Sequence, residues 1–213
     1  QVPPGVWSDT RNCGQTSYLM VDAYYNKKDI TEDSIKRLDD WIEENIGDNK
    51  RNYSGNYTSV TKLKKIATEY GKFIEGEVSI KSKEKDLNFL REEINNGRPV
   101  IVGVYTNMML KGKEKDVLHI MVLVGIDDEF VYVNDPGKTL GKNNKYSIDQ
   151  FLLAWNGNNF AAILFTPAGY VDIEEVVQND VQVSDSSFLE KIKSFFSFLF
   201  PKNKVSADSE ISI

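Results

Sequence analysis

Apolar residues recur at helical spacing through most of the first half of the chain. In the second half they gather into short β-branched runs. Residues 1–12, with Pro3, Pro4 and Gly5, read as an extended leading segment. Cys13 to about Tyr25 (CGQTSYLMVDAYY) is apolar nearly all round, which predicts a helix buried within the domain. A second helix is predicted from a Thr31 cap to about Ile46. It carries Ile35, Leu38, Ile42 and Ile46 on one face, and Gly47 closes it. Lys50–Ser59 is polar and loop-like. A third helix follows, with Val60, Leu63, Ile66, Ala67 and Tyr70 on one face and Gly71 at its end. Phe73–Ile80 reads as a strand. Asp86 to about Asn96 reads as a fourth helix, with Leu87, Leu90 and Ile94 inward and Gly97 after it.

Strands are then predicted at Pro99–Thr106 (PVIVGVYT), Leu118–Ile126 (LHIMVLVGI) and Phe130–Asn134 (FVYVN), the last two flanking the acidic turn Asp127–Glu129. A short helix over Tyr146–Trp155 and a strand over Phe160–Phe165 complete the pattern. Helices first and strands second is the α+β arrangement. After Pro167 the composition shifts. The expected organisation is one domain over 1–168, an acidic linker over 169–187, and an amphipathic helical segment with a loose tail over 188–213. The stripe Phe188, Leu189, Ile192, Phe195, Phe196 and Leu199, with Lys191 and Lys193 beside it, is read as docking on its own domain. A membrane surface or a partner are the alternatives.

Composition narrows the function classes. Hydrophobic residues make up 40% and charged residues 27%, enough for a core and against wholesale disorder. The net charge of −6, with no basic stripe, argues against nucleic acid as a partner. No apolar window is long enough to predict a transmembrane segment. The chain opens on Gln1 without a basic and then apolar leader, so no signal peptide is read and the sequence is taken as a mature chain or a piece of a longer one. Asn52-Tyr53-Ser54 and Asn56-Tyr57-Thr58 match the N-glycosylation pattern but read as a polar loop. Tyr53, Tyr57 and Trp155 are core or cleft aromatics. There is one Cys and one His. No internal disulfide can form, and the four-ligand needs of structural zinc are not met by that pair. Neither a metal nor an organic cofactor is expected.

The lone cysteine sits in Asn12-Cys13-Gly14-Gln15-Thr16-Ser17, at the start of the first predicted helix. The positive end of a helix dipole stabilises a thiolate there. The first helical N–H groups have no intrahelical partner, so the backbone N–H of Cys13 is a candidate oxyanion donor. Gly14 is expected to keep the space beside the sulfur clear. A lone cysteine is ordinarily a small buried hydrophobe, but packing alone does not call for an Asn and a Gly at a helix start.

His119 begins one predicted strand, and Asp135 follows the next, in Val133-Asn134-Asp135-Pro136. With a three-residue turn, Ile126 faces Phe130, and His119 and Asp135 share a face within reach of each other. A two-residue turn would put them on opposite faces. A carboxylate on one ring nitrogen fixes the tautomer and supports the imidazolium. Asn134 is the alternative orienter.

On these residues the chain resembles the papain-like cysteine peptidases, in particular the bacteriocin-processing-peptidase-like branch, cysteine-peptidase family thirty-nine-like. The resemblance is carried by Asn12–Met20, Arg98–Val104, His119–Asp127, Val131–Pro136 and Phe151–Trp155, and spans roughly residues 1–168. It implies N-terminal helices bearing the Cys, packed on an antiparallel sheet bearing His and Asp. It also implies a peptide or protein substrate cleaved through a thioester by Cys13, His119 and Asp135. The branch often carries Pro where this chain has Gln15. It usually carries an oxyanion Gln about half a dozen residues before the Cys, where this chain has Val6-Trp7-Ser8-Asp9. Trp7, Ser8 and Gln1 are the side-chain candidates for that donor. A peptide-binding module on an inactive fold, and an acyl transferase using the same triad, are the alternative functions. Localisation is unknown from the residues; the resemblance leans to a secreted or cell-surface protein of a bacterium.

Overall fold

The computed structural model describes residues 12–46, 58–79, 83–112, 118–138 and 140–172. The chain divides into two units, Gln1–Tyr170 and Val171–Ile213. The expectations for the polar loop, for Tyr53 and Tyr57, and for the 188–200 stripe fall outside the described residues.

The first helix, α1 (Cys13–Asn26), begins at the cysteine itself, and Lys27 ends it in the left-handed region. α2 (Glu32–Asn45) starts from a Thr31–Ser34 capping box and turns Ile35, Leu38 and Ile42 inward. α3 (Val60–Lys65) is capped by Ser59 and runs on into a π-helical turn over Ile66–Tyr70, so the predicted third helix loosens in its second half. β1 (Ile74–Ser79), α4 (Lys83–Asn95), β2 (Val100–Tyr105), α5 (Thr106–Lys111), β3 (Leu118–Ile126), β4 (Phe130–Asn134), β5 (Asn144–Ser147), α6 (Ile148–Gly157) and β6 (Ala161–Thr166) complete the order. Among the described residues no helix is long and apolar enough to cross a membrane.

The strands form one antiparallel sheet in the order β1-β6-β2-β3-β4-β5. Apolar side chains on its two faces feed two cores. Ile101, Ile120, Val122, Ile163 and Phe165 pack with Leu19, Val21, Leu38 and Leu63 of the N-terminal helices. Val100, Val102, Met121, Leu123 and Val133 pack with Leu90, Phe151 and Trp155 on the other side. Successive residues of β2 are therefore buried on both faces, which is why PVIVGVYT reads as an unbroken apolar run. The α+β architecture holds, with N-terminal helices on a sheet. A second helix layer, α4 and α6, covers the far face.

Two expectations are corrected, and the core-or-cleft choice at Trp155 is settled. The predicted helix over Tyr146–Trp155 starts later. Tyr146 is buried in the sheet opposite Val131, and the Ser147–Gln150 capping box places the helix start at Ile148. Trp155 belongs to the core, fully buried, with Nε1 donating to Ala161 O at 3.0 Å. Ile126 pairs with Val131 rather than Phe130. Asp127 N donates to Phe130 O at 2.9 Å, and the Asp127 carboxylate accepts from Glu129 N and Phe130 N. The turn is thus one residue shorter than expected. A bulge between Leu123 and Gly125 absorbs one residue of β3, after which Leu123 pairs with Val133 and Val122 with Asn134. Turn and bulge cancel, and the strand ends regain the register that puts His119 and Asp135 on one face.

Candidate active site

Cys13 is the first residue of α1, half-buried against the core under the sheet. Asn12 precedes it at the cap position, but its side chain does not cap. Its Nδ2 donates instead to Asp39 Oδ2 on α2 at 2.9 Å. The opening N–H groups of α1 thus receive no side-chain oxygen from Asn12. One turn on, Ser17 Oγ donates to Ile120 O at 3.3 Å, tying the cysteine's helix to the residue after His119. Gln15 is buried and accepts from Thr58 Oγ1 at 2.6 Å. A Cβ on Gly14 would lie 2.5 Å from Thr58 Cβ. The expectation that Gly14 keeps space clear beside the sulfur is therefore replaced. The space at Gly14 is taken by Thr58, and glycine is needed for that close approach.

His119 lies at the start of β3, opposite Val104 of β2. Its Nε2 is 2.7 Å from Asp135 Oδ1, and the side chains are 14% and 5% exposed. With Nε2 engaged, Nδ1 is the nitrogen left for the cysteine, which lies near enough to the ring to act on its protonation. Burial opposes a charged ring. The hydrogen bond and charge of Asp135, with Cys13 nearby, outweigh it and raise the His119 pKa to about 9. Burial likewise pushes the Asp135 carboxyl up. The hydrogen bond and charge of His119, the Gly137 N–H and Lys138 overcome that and hold it below the ordinary carboxylate value. Asn134 is not the ring's partner. It lies one residue away, on the opposite face of β4, where its Oδ1 accepts from Asn143 N at 3.0 Å.

Asp135 is fixed by the segment that follows it. Its N–H donates to Gly141 O at 2.7 Å, and its Oδ1 also accepts from Gly137 N at 2.8 Å. A Cβ on Gly141 would fall 2.0 Å from Asp135 O, so the loop closes only with glycine there. Lys138 Nζ donates to Tyr146 OH at 2.6 Å, joining the loop to β5. The sequence reading named none of these supports. The spacing Asp135-Pro136-Gly137, an acidic residue followed by turn formers, was the available signal.

Of the predicted residues, Cys13, His119 and Asp135 come together from α1, β3 and the end of β4. The oxyanion candidates Gln1, Trp7 and Ser8 lie outside the described residues, and the Cys13 backbone N–H is at the helix start. Among the described residues no group of three or more His, Cys, Asp or Glu side chains is gathered as a metal site would require.

A solved structure of a Bacillus anthracis protein assigned to the C39-like peptidases has a similar fold. Its TM-score is 0.54 at 23% identity, over 73% of this chain and 88% of that one. No curated protein matches the chain. The model of the Peptidase C39 like family matches residues 1–163, and the chain belongs to that family of papain-like cysteine peptidases.

Proposed function

We propose that the protein hydrolyses peptide bonds with Cys13 as nucleophile, His119 as acid and base, and Asp135 as the orienting carboxylate. The observation that carries this reading is a buried imidazole held at Nε2 by Asp135, 2.7 Å away, beside a cysteine that opens a helix. A ring with a pKa near 9 is an imidazolium at neutral pH and stabilises the thiolate beside it. The sulfur attacks the scissile carbonyl carbon, and the Cys13 N–H donates to the developing oxyanion. His119 gives its Nδ1 proton to the leaving amine, and a thioester remains. The neutral ring then takes a proton from water, the resulting hydroxide adds to the thioester, and the sulfur departs from the acid product. The catalytic unit is assigned to residues 1–168, in keeping with the family match over 1–163.

Iodoacetamide alkylation against pH tests the reading directly, because every modified thiol is Cys13. The wild type is expected to react readily at neutral pH, and His119→Ala to react far more slowly there. The same wild type should cleave an unfolded protein substrate. An ordinary thiol profile in both proteins, with the fold intact, overturns the peptidase and leaves a binding module. Product analysis with an added amine separates hydrolysis from acyl transfer.

A further inference from the structure

We infer that Gly137 is a positioning residue for this reaction, one that sets how Asp135 holds His119. The inference rests on the peptidase reading above. Gly137 meets the His119–Asp135 hydrogen bond in two ways. Its N–H donates to Asp135 Oδ1 at 2.8 Å, so the oxygen that receives His119 is aimed by a second donor. Its Cα also faces the hydrogen bond itself. A Cβ there would lie 3.1 Å from His119 Cε1, 3.2 Å from Asp135 Oδ1 and 3.3 Å from His119 Nε2. Carbon contacts settle at about 3.5–4.0 Å, so a methyl group must push ring and carboxylate aside by a few tenths of an ångström.

Neither partner has room to yield freely. Asp135 is buried and its backbone N–H is held by Gly141 O, while His119 sits in a strand paired with β2. Backbone conformation does not explain the glycine. Positive φ among the described glycines occurs at Gly97, Gly112 and Gly169. The demand at Gly137 is for space at the one hydrogen bond that fixes the tautomer and orientation of the general base.

The test compares Gly137→Ala with Leu140→Ala. Leu140 lies on the same loop, with 78% of its surface exposed. The chain has a single histidine, so the imidazole NMR titration belongs to His119 without assignment. In Gly137→Ala the His119 midpoint and the alkaline limb of kcat/KM should fall together by about half a pH unit or more. Its kcat should drop several-fold and its KM stay within about twofold. Leu140→Ala should match the wild type in both. A folded Gly137→Ala with the wild-type midpoint and limb overturns the inference. If Gly137→Ala does not fold, the wild type decides. The Gly137 amide resonance must move with pH in step with His119, and an amide that ignores that titration overturns the inference equally. A wild type with no His119-dependent limb removes the peptidase reading and this inference with it. A wild-type limb near pH 9 that Gly137→Ala leaves in place removes this inference alone.

Discussion

The two sides of the site are built differently. The thiol side needs one turn of helix. Cys13 is the first residue of α1, and the dipole and free N–H groups come with that position. The imidazole side is assembled from three segments. β3 supplies His119, the end of β4 supplies Asp135, and the loop to Gly141 aims the carboxylate. A helix terminus carries its chemistry locally. A base–carboxylate pair depends on register and on backbone donors several residues away. Changes to the packing of the thiol's helix should therefore alter reactivity or stability alone. Changes on the imidazole side should move a pH profile.

The largest effects come from removing the reacting groups. Cys13→Ala and His119→Ala should each lower kcat/KM by about 10⁴-fold or more, as groups acting as a unit do. Cys13→Ala should leave the thermal midpoint nearly unchanged, because its side chain is half-buried, whereas His119→Ala should lower it at neutral pH, because the buried Asp135 loses its partner. Steady-state cleavage with a melting curve checks both. A Cys13→Ala protein that retains activity would return the nucleophile to the rest of the chain.

Asp135→Ala separates the two sides more sharply. It should cost on the order of 10²-fold in kcat and move the alkaline limb to lower pH. The imidazolium is lost as pH rises through the His119 pKa of about 9, and Asp135 supplies two of the causes that raise it. Stability follows the same sign. The raised His119 pKa contributes fully below the ordinary 6.5 and is lost as pH climbs to about 9. The lowered Asp135 value contributes above the ordinary 3.8 and is lost as pH falls through the folded-state value. The stability gap between wild type and Asp135→Ala should thus be widest between about pH 4 and 6.5. Urea midpoints across pH 3 to 10 measure it.

Gly14→Ala probes the thiol side through packing. The added methyl meets Thr58 at 2.5 Å, and Thr58 is itself buried and bonded to Gln15. Overpacking of this kind costs about 1–3 kcal/mol. The His119 midpoint should stay where it is, because nothing at Gly14 touches the ring–carboxylate bond. A Gly14→Ala protein with a displaced His119 titration would show that the two sides are coupled through α1.

How much of this the sequence carried follows the same divide. The cysteine's helix start, the two apolar faces and the long strands were legible because each rests on residues close in sequence. β5 was missed because Asn144–Ser147 is short and polar, and only pairing with β4 makes it a strand. α5, at Thr106–Lys111, is too short to show a helical period. The hairpin register was right at its far end for an incomplete reason. A shorter turn and a bulge at Val124 offset each other, and a bulge has no local mark in LHIMVLVGI. That Gly137 rests against the His119–Asp135 hydrogen bond, and Gly141 against the Asp135 carbonyl, depends on where the loop closes, which no local pattern marks.

The smallest expected effect is a gain, far from both sides of the site. Tyr18 is fully buried on α1 among Tyr70, Phe73 and Phe165, with ring centroids 5.9 to 6.2 Å away. Its hydroxyl has no hydrogen-bond partner among the described residues. Burial, with Asp22 and Tyr70 nearby, keeps it neutral by pushing its pKa far up. A buried hydroxyl that gave up its water without replacement is a cost that Tyr18→Phe removes, against the small void left by one oxygen atom. The aromatic edges around the ring stay in place, so the substitution should be neutral or stabilising by up to about 1 kcal/mol. The urea midpoint should rise or hold with an unchanged slope, and the pH profile of Cys13 alkylation should be untouched. A loss of more than about 1 kcal/mol would mean that the hydroxyl has a partner after all, and a shifted alkylation profile would extend the thiol side a full turn and a half down α1.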